Sequence, residues 1–145
     1  MALHLVGEGK VKSFRIVIGL LIERSPGGGR TIKETSQVAE VIRQWSENEA
    51  RNKRPFLHGF MIPAERNQVG TPFDQHVIEC NLDPYAIFSG SVSKVENRGM
   101  SDEIVNAVLF KLAEHLTLQF KQTSVYVEYD GYGKLFRNPA VTVQA

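Results

Sequence analysis

The chain has 145 residues, of which 42% are hydrophobic, 9% aromatic and 23% charged, proportions of one globular domain able to bury roughly two-thirds of its unfolded surface. Seventeen basic against sixteen acidic residues leave a net charge of +1, which argues against a nucleic-acid partner, whose phosphates call for concentrated Lys and Arg. A single cysteine, Cys80, excludes an intrachain disulfide and a thiolate-rich zinc site, so neither a metal nor a cofactor is expected.

Met1 to Ser13 holds Glu8 and glycines and has no apolar signal core, so it reads as an N-terminal extension and the protein as cytoplasmic. Phe14, Ile16, Ile18, Leu20 and Ile22 then alternate strictly, the period of a strand with one face in a core. The run Ile16 to Ile22 is far shorter than the ~20 residues that span a bilayer, and no membrane association is expected. Ser25-Pro26-Gly27-Gly28-Gly29 ends the strand. Thr31 followed by Glu34 fits a capping box, with Val38, Val41, Ile42 and Trp45 forming the apolar stripe of a first helix. Asn52-Lys53-Arg54-Pro55 stops it.

Phe56 to Ile62 reads as a second strand closed by Pro63, and Ala64 to Gln75 as a polar loop. His76 to Leu82 and Tyr85 to Val95 read as two strands joined in a hairpin around Asp83-Pro84. Ser101 is a good N-cap for a second helix from Asp102 to about Lys121, whose apolar face comprises Ile104, Val105, Val108, Leu109, Leu112, Leu116 and Phe120. His115 on that face is expected to be a core histidine, while Phe110 and Leu118 fall outside it. Val125 to Tyr129 is a further strand, Asp130-Gly131 a turn, and 131–145 a C-terminal extension that includes a return strand.

The succession matches a ferredoxin-like β-α-β-β-α-β plan with an extra hairpin strand. It predicts an α+β domain over 1–145 with both helices on one face of a mostly antiparallel sheet. A plan this widespread says little about function. Several chemistries are absent: the glycine run has neither a P-loop Lys-Ser/Thr nor a dinucleotide spacing, Ser89-Gly90-Ser91 is not a nucleophile elbow, and Ala2 replaces the proline of an N-terminal tautomerase.

Two constellations remain. Gly28, Gly29 and Arg30, ahead of the first helix, are a candidate anion-binding turn, because successive backbone N–H groups and a helix N-terminus favour negative charge. The outer sheet face is the second. Alternation assigns it Arg15, Val17, Gly19, Leu21, Glu79, Asn81, Tyr126 and Glu128, with Leu57, Gly59 and Met61 expected beside them. Gly19 and Gly59 would open a hollow there, and Val17, Gly19, Leu21, Gly59 and Met61 would line a small-molecule site. A face this apolar is uncomfortable in water, which points to a self-associating module, a homodimer, that binds a ligand or partner through it. The alternative is a small cofactor-free isomerase or lyase in the same hollow, with Glu79 or Glu128 as base and Tyr126 as proton donor.

Overall fold

Residues 2–23, 30–69, 80–93 and 100–141 are described by a computed structural model. The alternating run around Ile16 forms β1 (Val11–Gly19), the middle strand of a five-stranded sheet. The chain leaves that sheet at Leu20, whose N–H donates to the carbonyl of Pro84. It then forms a separate ribbon of β2 (Leu21–Glu23) and β3 (Arg30–Ile32), so the expected strand to Ile22 is cut in two.

Helix α1 (Thr35–Arg51) begins later than the Thr31 box predicts. Thr31 is committed to β3, where it lies opposite Ile22. The box is formed one turn on, by Glu34 and Gln37, with the Glu34 N–H donating to Gln37 Oε1 at 2.8 Å. Val38 and Ile42 are buried, Val41 and Trp45 pack against them, and the helix ends at Asn52 with Lys53 in a left-handed conformation.

Two long strands follow, β4 (Phe60–Val69) and β5 (Cys80–Ser93), paired antiparallel from Phe60 opposite Ser89 to Val69 opposite Cys80. Neither proline breaks them. Pro63 lies on the edge strand β4, and Pro84 lies where β5 has passed the end of β1 and keeps only β4 as sheet neighbour. Both are positions that tolerate a missing donor.

Ser101 caps α2 (Asp102–Gln119) by accepting the Ile104 N–H. This helix buries Val105, Val108, Leu109, Leu112, Ala113 and Leu116, while Ile104 stays exposed and His115 is half-buried. Strands β6 (Ser124–Tyr129) and β7 (Tyr132–Arg137) close the chain as a hairpin over Asp130 and Gly131, both at positive φ, as a two-residue primed turn requires.

The sheet order is β4-β5-β1-β6-β7, every neighbour antiparallel. This is the ferredoxin-like plan, with the extra strand appended at the end as β7 rather than inserted in the middle. One sheet face meets both helices and holds the core: Phe14, Ile16, Ile18, Ala86, Phe88, Val125 and Val127 pack with the helix residues in a single cluster. Among the described residues no helix is long and apolar enough to cross a membrane.

Candidate functional site

The face opposite the helices follows from parity. In β1 it carries Ser13, Arg15, Val17 and Gly19; the registers add Tyr85, Ile87 and Ser89 of β5, Phe60, Ile62 and Ala64 of β4, Tyr126 and Glu128 of β6, and Gly133 and Leu135 of β7. Phe60 is 77% exposed, Ile62 45% and Leu135 73%, so no layer of the single chain covers this surface.

Within this apolar setting lies one polar cluster. Arg15 and Glu128 sit directly opposite each other on β1 and β6. Arg15 Nε donates to Glu128 Oε2 at 3.1 Å, and Nη2 approaches the same oxygen at 2.9 Å. Tyr126, two residues along the same strand, donates its hydroxyl to that oxygen at 3.1 Å. All three donors therefore meet on Oε2, and none of them is on Oε1. The Glu128 side chain is 26% exposed, half withdrawn from water, and Arg15 is 48% exposed.

Tyr126 reaches Glu128 because Gly133 lets it. A Cβ at Gly133 would collide with the Tyr126 hydroxyl and fall 2.8 Å from its ring carbon Cζ. The tyrosine lies across the bare backbone of β7. Gly133 carries no sequence signal of its own; only the pairing of β6 with β7 makes it part of the site.

Of the residues assigned to this face from sequence, Arg15, Val17, Tyr126 and Glu128 are brought together. The glycine hollow is not there. Gly19 is buried, and the space its side chain would take is filled by the Gln122 side chain, whose carbonyl oxygen lies within a bond length or two of where a Cβ would be. Gln122 is held in place by donating from Nε2 to the carbonyls of Leu21 at 2.8 Å and Phe120 at 2.9 Å. Gly59 faces the helix side, where a Cβ would meet the Phe88 ring at 2.7 Å and the Ser89 carbonyl at 2.8 Å. Met61 opposes Phe88 and packs on the core, and Leu57 is buried in it. Phe60 and Ile62 take the outward positions instead. Leu21 belongs to the β2–β3 ribbon, outside the five-stranded sheet.

Glu79, Gly28 and Gly29 lie outside the described residues. Arg30 pairs with Glu23 in β3, and α1 starts five residues later behind Glu34.

A second charged cluster, on the helix side, is structural. Tyr129 donates its hydroxyl to Asp102 Oδ1 at 2.7 Å, and Lys12 donates to the same carboxylate at 2.9 Å. These bonds, Lys12 first, hold the Asp102 carboxyl below its usual range, while burial and then Asp102 push the Tyr129 phenol well above its own. The cluster pins β1 and β6 to the start of α2. Burial lowers the His115 imidazole, which is half-buried at the margin of the helix face rather than part of the core cluster. Cavities of about 170 and 260 Å³ lie between α2 and the β6–β7 hairpin, the smaller walled by Phe110 and Phe136, whose rings meet edge to face at 5.3 Å. Neither is lined by Arg15, Tyr126 or Glu128. Among the described residues no three potential metal ligands gather.

No protein-family model matches the sequence, and no curated protein matches it. Two solved structures share its fold over almost the whole of both chains. A phage SAM lyase in complex with S-methyl-5'-thioadenosine superposes with a TM-score of 0.58 at 18% identity, covering 94% of this chain and 97% of that one. A phage SAM lyase in the apo state gives a TM-score of 0.60 at 17% identity, covering 96% and 98%. At such identity the likeness is one of fold alone: a small α+β domain with two helices on one face of an antiparallel sheet.

Proposed function

We propose that the chain is a lyase that cleaves a sulfonium nucleoside of the S-adenosylmethionine (SAM) type on its outer sheet face. The observation that carries this reading is the Arg15–Glu128–Tyr126 cluster, a half-buried carboxylate held on one oxygen by an arginine and a tyrosine, with exposed Phe60, Ile62 and Leu135 on the same sheet face. A sulfonium substrate needs a carboxylate and an aromatic face near its cationic sulfur, and Glu128 and Tyr126 would supply them. The whole-length likeness to a phage SAM lyase supports the substrate class.

The chemistry asks little of the protein. Breaking the bond between sulfur and the amino-acid side chain sends its electron pair to sulfur, which leaves as the neutral thioether S-methyl-5'-thioadenosine. A base then balances the reaction by taking the proton from the neighbouring carbon, whose C–H pair becomes the new double bond. Glu128 Oε1 is the candidate base, because Oε2 already carries the three donors. A thioether needs no proton to leave, so Tyr126 acts by orienting Glu128 rather than as a proton donor.

The same face supports self-association. Phe60, Ile62 and Leu135 surround the cluster and are exposed in one chain, and a second subunit over them, in a homodimer, would dry the site and strengthen its electrostatics. Incubation with SAM, followed by chromatography for S-methyl-5'-thioadenosine, tests the proposal. Release is expected from the wild-type protein and a fall of about 100-fold or more in Glu128→Gln. No release, or release that Glu128→Gln leaves unchanged, would overturn it.

A further inference from the structure

Arginine offers a carboxylate two edges, one formed by Nε and Nη2 and one by Nη1 and Nη2. In Arg15 the first is taken: Nε and Nη2 both lie on Glu128 Oε2, at 3.1 and 2.9 Å. Among the described residues no acceptor is bonded to Nη1, and the side chain is 48% exposed, which leaves the second edge open to a ligand's carboxylate. The guanidinium is also fixed in direction. It stands on the middle strand of the sheet, clamped sideways by its cross-strand partner, which is in turn held by Tyr126.

Accepting the lyase reading above, on which this inference rests, we propose that Arg15 is the specificity-determining residue of the site. It binds the substrate's α-carboxylate end-on through Nη1 and Nη2, while Glu128 aims it and turns its own Oε1 to the cationic part of the same molecule. The two charged parts of the substrate then find their complements in one exposed ion pair: the carboxylate meets the free edge of the arginine, and the sulfonium side of the molecule meets the free oxygen of the glutamate. The arrangement selects an amino-acid-bearing sulfonium nucleoside over one that has lost its carboxylate. Two parallel charge-assisted bonds are the strongest contact a carboxylate can make to a side chain, and a lysine cannot reproduce their geometry.

Calorimetric titration of wild type, Arg15→Gln and Arg15→Lys with SAM and with its decarboxylated analogue tests this directly. The wild-type protein should prefer SAM by roughly 10- to 100-fold. Arg15→Gln should lose that preference through weaker binding of SAM alone, with the analogue's affinity kept within about twofold, and Arg15→Lys should recover part of it. A thermal melt of each variant checks that the half-exposed position leaves the fold intact. A wild-type preference that persists in Arg15→Gln, or an equal loss for both compounds, contradicts the role of Arg15 and leaves the lyase reading standing. Wild-type protein that binds neither compound overturns the lyase reading itself, and this inference with it.

Discussion

The two faces of the sheet are made of the same strands, one residue out of phase, and they answer to different constraints. On the helix side Phe14, Ile16, Ile18, Phe88, Val125 and Val127 are all buried in a single core cluster. On the outer side the intervening residues mix an ion pair, a tyrosine and exposed apolar side chains. A strand's period of two is what permits this separation, because stability can be placed on one parity and chemistry on the other. The outer face can then hold groups that a core would reject, including a half-withdrawn carboxylate and an arginine with an open edge.

The largest expected effect breaks the covered face. Leu112→Ala removes a fully buried side chain from α2 and should cost about 2–5 kcal/mol in chemical denaturation. Ile62→Ser, on the open face at 45% exposure, should cost less than about 1 kcal/mol. If the open face is the proposed dimer interface, Ile62→Ser should shift the protein toward monomer in light scattering. Equal losses of stability would erase the distinction between the faces.

Gly133→Ala sharpens the comparison on the open face alone. Gly133 is not in the left-handed region, so the backbone accepts alanine, but the new methyl must displace the Tyr126 hydroxyl. Turnover should fall by about tenfold, in step with Tyr126→Phe, because each variant removes the one bond from Tyr126 to Glu128. Full activity in Gly133→Ala would show that Tyr126 does not orient the carboxylate.

A smaller effect concerns pH. Asp102 is held below its ordinary value of 3.8 by Lys12 and then Tyr129, so its bonds stabilise the fold above that pH, and the contribution is lost as pH falls through the lowered value. Acid titration of the melting temperature should therefore show a drop below pH 3.8 that is reduced in Asp102→Asn. A wild-type acid profile matched by Asp102→Asn would remove the linkage.

How much could be read beforehand depended on whether one phase of a strand was polar. In β1 and β6 the polar partners Arg15 and Glu128 mark the outer parity, and the division of residues between the two faces there agrees with the structure. In Phe56 to Ile62 both phases are apolar, so parity is undetermined and Gly59 and Met61 were expected on the wrong side. The hollow at Gly19 failed for another reason: Gln122, distant in sequence, fills it, and only tertiary packing brings the two together. Thr31 and Glu34 each begin a plausible capping box, and the choice was made by β3, which draws Thr31 into a ribbon. Prolines 63 and 84 read as strand ends because a sequence does not say which strand segments lack a neighbour.

The central claim is that the outer parity, not the cavities beside α2, is where a ligand binds. Titrating S-methyl-5'-thioadenosine into isotopically labelled protein and following amide and side-chain NMR shifts tests it most directly. The account predicts that the perturbed resonances map to Arg15, Val17, Ile87, Ser89, Tyr126 and Glu128, with Leu109 and Leu112 on the covered side unmoved. Shifts centred on Phe110, Phe136 and Asn138, which line the cavity between α2 and β7, or no shifts at all, would contradict it.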